Sequence, residues 1–241
     1  MSEHRRKNDL LLGRPLDNWT PPARPPREPM QGAYCRVEPL SIATHAADLF
    51  AANSLDTQHS NWTYLPYGPF ATMRDYCTWL ETSCVDDDPL FHAIVDLHSG
   101  TAAGLASYLD INPAHGCIEV GHIHYAPALQ STCAATEAMY LMMKRAFELG
   151  YRRYAWKCNA LNQKSRNAAQ RLGFSYEGVF RQHMVTKSRN RDSAWYAAVD
   201  SEWPVLRAAF ETWLAPENFS ADGRQRESLA RLTAPLLAAR G

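Results

Sequence analysis

The residues best suited to chemistry fall in three short stretches. The first is "QSTCAATEA", Gln130–Ala138, which carries small side chains into an amphipathic helical segment. Side chains as small as Ser131, Ala134 and Ala135 let a backbone come close to an anion. The successive N–H groups of a helix start carry the positive end of its dipole. The stretch Thr132–Thr136 therefore suits a phosphate, and it suits equally an ordinary strand-to-helix loop with no ligand. The second stretch, "IEVGHIHY", sets Glu119, His122 and His124 along one strand. An imidazole titrating near ~6.5 is matched to proton transfer at neutral pH. Regular alternation puts the two histidines on one face and Glu119 on the other; a bulge at Gly121 would change that. His122 and His124 lack an obvious third ligand, so no metal is expected. His183, in "FRQHMVTK", is a further candidate, and each histidine serves equally as a hydrogen-bonded sheet residue. The third stretch, "NQKSRNAAQRLG", offers Asn162 as a helix cap and Ser165 one turn in.

The elements that must position these groups are legible from periodicity. "YCRVEPL" is a short strand. "SIATHAADLFAAN" follows, with a serine cap and Ile42, Ala46, Leu49 and Phe50 on one helical face. "TMRDYCTWLETS" is a second helix. "LFHAIVDL", "TAAGLASYLDI" and "CIEVGHIHYA" are strands parted by turn residues, a meander. The helix from the first stretch ends at Gly150. "YRRYAWKC" is a strand, "NQKSRNAAQRLG" a helix, and "FSYEGVFRQHMVTK" with "SAWYAAVD" a hairpin across "SRNRD". "SEWPVLRAAFETWL" is a final helix. The order β-α-α-β-β-β-α-β-α-β-β-α gives an α/β fold, a mixed, mostly antiparallel central sheet flanked by helices.

The chain has 241 residues, 46% of them hydrophobic, with 25 basic and 25 acidic side chains. That balance gives no bulk argument for nucleic acid or membrane partners, and neither is expected. No apolar run is long enough to span a bilayer. The start, "MSEHRRKNDLLLGRPL", is not a secretory signal. The six cysteines form no C-x-x-C pair and are read as reduced thiols in a cytoplasmic protein. Residues 1–33, with "WTPPARPPREP", are expected to be an extended arm, lying on the domain or docking a proline-binding module. Residues 34–214 form the body, and 215–241 a tail with one helix from about Glu227.

"QSTCAATEA" after "IEVGHIHY", followed by "NQKSRNAAQRLGFSYEGVFRQ", resembles the GNAT superfamily of acetyl-CoA-dependent N-acetyltransferases. Asn162, Ser165, "RLGF" and Glu177-Gly178 look like its RimJ/RimL branch. The resemblance implies that Gln130, Ser131, Thr132, Cys133, Ala134, Ala135 and Thr136 hold the cofactor's diphosphate. It implies that main-chain amides near His124 and Tyr125 bind the pantetheine arm where two parallel strands splay. Asn162 would bind the arm, and Ser165 would reach the sulfur. The tyrosine many members place nearby is Ala169 here, and Cys133 stands where the family carries glycine. Glu119 resembles the family's glutamate base; His122, His124 and His183 are the alternatives. Met184 replaces the carboxylate of the RimL-like branch. The implied activity is direct transfer from acetyl-CoA to a primary amine of a small molecule or amino acid derivative. A protein N-terminus is the alternative acceptor, and a catalytically weak acyl-CoA-binding regulatory module the alternative class. Monomer and homodimer both fit.

Overall fold

The structure, a computed structural model, describes residues 6–7 and 10–241. The rest of the expected arm lies outside the described residues. A ribbon pairs β1 (Arg6–Lys7) with β2 (Leu10–Leu11). The body is one sheet of β3 (Met30–Gln31), β4 (Cys35–Pro39), β5 (Leu90–Asp96), β6 (Ala102–Asn112), β7 (Cys117–Tyr125), β8 (Arg153–Asn159), β9 (Ser175–Thr186) and β10 (Arg189–Val199). Its order is β3-β4-β5-β6-β7-β8-β10-β9, and only the β7–β8 pair is parallel.

Helices α1 (Ile42–Asn53) and α2 (Met73–Ser83) pack on one face. Helices α3 (Cys133–Glu148), α4 (Gln163–Arg171) and α5 (Trp203–Leu214) pack on the other. With both faces covered, the strands between must be apolar on both sides, and Leu90–Val95 is buried throughout. Ser41 and Thr72 cap α1 and α2 by accepting from the amides of Thr44 and Asp75. Among the described residues, no helix is long and apolar enough to cross a membrane.

Two segments differ from their sequence reading. Met30–Gln31 pairs with β4, so the sheet begins inside the stretch read as an arm. Upstream of it, Pro22 and Pro25 are buried, Arg24 reaches the Asp88 carboxylate and Arg145 donates to the Glu28 and Pro29 carbonyls. These prolines pack on the protein's own body. The hairpin turns at Lys187–Ser188, whose φ values of 48° and 58° match the twist of tight two-residue hairpins. "SRNRD" is therefore mostly strand, and Arg191 is buried instead of solvated in a turn. At the other end, α6 (Leu229–Thr233) packs on α4 and α5, and Ala239 accepts from the Tyr176 amide beside β9.

One buried carboxylate ties the two halves together. Glu137, in α3, accepts from the amides of Ala33, Tyr34 and Cys35 at 2.8, 2.7 and 2.9 Å. Those amides open β4. Glu137→Ala strands them without acceptors and should destabilise the fold by about 3 kcal/mol or more. Equilibrium unfolding in urea measures this, and a loss below about 1 kcal/mol would mean the anchor is dispensable.

Candidate active site

The site grows out of one irregularity in β7. Its pairing with β6 runs Leu109↔Glu119, Ser107↔Gly121 and then Leu105↔His124, so β7 carries an extra residue. That residue is at His122, with φ at 50°. A bulge bends its strand and sharpens the local twist. The parallel ladder to β8 runs from Cys117↔Arg153 to Val120↔Trp156 and stops just before the bulge. Beyond it β7 stays with β6 and β8 stays with β10. A wedge opens between them.

The bulge also settles which side chains meet. Leu105, Ser107 and Leu109 alternate onto one face of β6, so their partners His124, Gly121 and Glu119 share that face. His122 turns the same way, against Phe91 and Tyr67. Regular alternation, which separates Glu119 from the histidines, does not hold, because the extra residue resets it. All three groups face the α1–α2 side.

Glu119 is 3% exposed, and burial raises its pKa to about 7 against the lowering pull of Lys157. Lys157 Nζ lies 3.1 Å from Oε2 and 2.8 Å from Asp110. Lys157 thus holds the buried Oε2 in an ion pair that it shares with Asp110. A buried carboxylate poised near neutrality matches the pKa that a general base at neutral pH requires.

The histidines are different. Burial lowers the pKa of both His122 and His124 to about 4, with Lys157 and Arg191 adding to the effect on His122. Tyr67 Oη lies 3.0 Å from His122 Nδ1. Burial holds that phenol protonated, and among the described residues His122 is its only acceptor, so Tyr67 donates and the ring proton sits on Nε2. His124 lies against Trp62, its Nε2 buried without a partner. His183 Nδ1 is 2.9 Å from Ser193 Oγ, out on the β9–β10 hairpin. Around these rings Trp62, Tyr67, Phe70 and Trp79 pack edge and face together.

At the mouth of the wedge, β7 presents main-chain donors. Ala126 donates to Ala103 in β6, so alternation turns the Ile123 and Tyr125 amides to the opposite edge, into the wedge. The His124 amide faces β6. Ile123 was missed from the sequence because an amide has no side-chain signature.

The loop before α3 has Ser131 at φ 61°, then Thr132 as N-cap, its hydroxyl accepting from Ala135 at 3.1 Å. Left-handed backbone thus falls on Ser131, and Cys133 is ordinary helix. Among the described residues the Cys133 and Ala134 amides meet no acceptor. Ala134 and Ala135 pack into the core. A depression of about 520 Å³ opens here, walled by Tyr34, Asp96, His98 and Thr132–Ala134. Burial and the Glu137 charge push the Cys133 thiol up, so it is neutral. Gln130 instead bridges Asn61 and the Tyr125 carbonyl, at 2.9 and 3.0 Å. Thr136 is sealed under the loop, where its hydroxyl accepts from Arg171, whose guanidinium lies over Trp213.

On the α3–α4 side, Asn162 caps α4 by accepting from the Ser165 amide at 3.1 Å. The Trp156 indole donates to Ser165 Oγ at 3.1 Å. An indole N–H only donates, so the serine keeps its own proton for another partner, and the Cys158 sulfur is beside it. Ala169 is fully buried. Among the described residues, no three His, Cys, Asp or Glu side chains converge on a metal-binding point.

Strand splay, bulge, loop and helix start coincide with a family pattern. Residues 36–175 match the model of the acetyltransferase (GNAT) domain, more than half of the chain. The chain belongs to the GNAT acetyltransferase family. A GCN5-related N-acetyltransferase from Brucella melitensis is 46% identical over 91% of this chain and 100% of its own, with a TM-score of 0.89. A probable GNAT-family acetyltransferase from Chromobacterium violaceum is 40% identical over 78% of this chain and 94% of its own, at 0.74. The ribosomal L7/L12 α-N-protein acetyltransferase RimL, 17% identical over 71% of this chain and 94% of its own, shares the fold at 0.59. Comparison with curated protein sequences gives no match. This GNAT chain is an acetyl-CoA-dependent N-acyltransferase.

Proposed function

We propose that this acetyltransferase acts on a primary amine of a small molecule or amino acid derivative, by direct transfer within a ternary complex. The observation that carries the reading is the position of Glu119: buried, near-neutral in pKa and on the strand whose bulge opens the wedge.

The fit to acetyl-CoA rests on the chain's own donors. The Cys133 and Ala134 amides, at the start of α3 and free of large side chains, would take the diphosphate. The Ile123 and Tyr125 amides line the wedge and would hold the pantetheine arm. Bound there, acetyl-CoA supplies an acyl thioester whose carbonyl carbon accepts the amine. Glu119 removes the ammonium proton, directly or through one water. A wedge amide donates to the carbonyl oxygen as it gains charge. As the new C–N bond forms and the C–S bond breaks, Ser165 donates its proton to the sulfur and regains, through solvent, the second proton that the nitrogen loses on becoming the neutral amide. The His122 Nε2–H orients the acceptor from the opposite side.

The test is release of free coenzyme A from acetyl-CoA across a panel of small amines and peptides. The expected result is turnover of a small primary amine above the hydrolysis rate, with a lag-free dependence on both substrates. Turnover only with protein or peptide N-termini would overturn the acceptor class. Tight acetyl-CoA binding with no turnover anywhere would support the regulatory module instead.

A further inference from the structure

The same face of the sheet holds a cation with nothing to neutralise it. Arg191 is 9% exposed. It follows the Lys187–Ser188 turn in β10 and shares the face of Ser193 and Trp195, which pair with Asn159 and Lys157 of β8. Its position is just past the last β8–β10 pair, Ser193↔Asn159, one strand over from the wedge. The Arg191 charge acts on His122, and the charges of Glu119 and Cys158 act on Arg191. Among the described residues no carboxylate pairs with it, no hydrogen bond is made by any of its nitrogens, and its Nε is buried outright.

Leaving the buried Arg191 Nε–H without an acceptor is expensive, because that group loses hydration and regains nothing. Other buried or half-buried arginines of this chain are satisfied: Arg171 by Thr136 and Trp213, Arg153 by Glu177. Arg191 has the planar fork that matches a carboxylate in two parallel hydrogen bonds. Asp110 and Glu119 both pair with Lys157, while Arg191 has no carboxylate partner among the described residues.

We propose that Arg191 is a specificity residue that binds a carboxylate on the acceptor, so that the amine acetylated belongs to an amino acid or another amino-carboxylate and not to a simple monoamine. The inference rests on the acetyl-transfer reading above and narrows its acceptor. The ammonium sits at Glu119 and the carboxylate at Arg191, on one face of the sheet. Arg191 makes no contribution to proton transfer.

Product binding tests this without any need for turnover. N-acetylglycine, N-acetylphenylalanine and 4-acetamidobutyrate, each beside its uncharged amide, are titrated calorimetrically into protein saturated with coenzyme A. The wild type should bind at least one acid roughly 10- to 100-fold tighter than its amide, the range of a charge-assisted hydrogen bond. Arg191→Met should erase that ratio and leave amide and coenzyme A binding unchanged; Arg191→Lys should keep part of it. Removing an unpaired buried charge should leave the melting temperature unchanged or raise it, which separates this role from a structural one. The proposal is overturned if no acid outbinds its amide, if the ratio survives in Arg191→Met, or if that variant melts lower. Should coenzyme A itself fail to bind, the acetyl-transfer reading falls and takes this one with it.

Discussion

Glu119→Gln should lower kcat by roughly 10²- to 10⁴-fold while acetyl-CoA binds as before. The substitution is nearly isosteric, and Lys157 keeps Asp110 at 2.8 Å, so no buried charge is stranded. The pH profile makes the test specific. Burial holds the Glu119 pKa near 7, and a base works only when deprotonated. The ratio of wild-type to Glu119→Gln kcat/KM cancels the acceptor's own ionisation. It should climb about tenfold per pH unit up to 7 and be level above. His122 and His124, with pKa values near 4, are neutral across this range and contribute no break. A ratio independent of pH between 5 and 9, or a loss of less than threefold, would remove Glu119 as the base.

The second large effect is expected at the start of α3. Cys133→Asp puts a carboxylate beside the two amides that lack acceptors. An acidic side chain in the first turn suits the helix dipole but lies one turn from the Glu137 carboxylate, so the two effects oppose and stability should stay within about 1 kcal/mol. The diphosphate, by contrast, meets a like charge at close range, and acetyl-CoA affinity should fall about 100-fold. Calorimetric titration reads the affinity and thermal unfolding the stability; normal binding in a stable variant would place the diphosphate elsewhere. Cys133→Gly gives the complementary result. Cys133 already has helical backbone, so the family's glycine has no left-handed φ to supply here. It should leave affinity within about twofold and weaken the helix by about 0.5–1 kcal/mol.

The departure of Cys133 from the family pattern shows where local reading reaches its end. The spacing of Gln130–Thr136 before α3 was visible, but which residue takes positive φ depends on how the loop leaves β7, and it is Ser131. Gln130 matches the family's motif yet turns to the Tyr125 carbonyl and to Asn61, the latter on an element distant in sequence.

The sequence by itself determined the succession of strands and helices, because periods of two and 3.6 are local properties of the chain. It also determined the small side chains at the start of α3 and the presence of Glu119, Asn162 and Ser165 in order. Tertiary structure decided which of them meet. The bulge at His122 exists only relative to β6, since an extra residue is defined by its partner strand, and it alone brings Glu119 and both histidines to one face. Burial decided the chemistry: it raised one carboxylate to near neutrality, silenced two imidazoles, and turned Arg191 from an apparent turn charge into an unpaired cation. Those shifts come from lost hydration, which depends on what packs around a group and not on its neighbours in the chain.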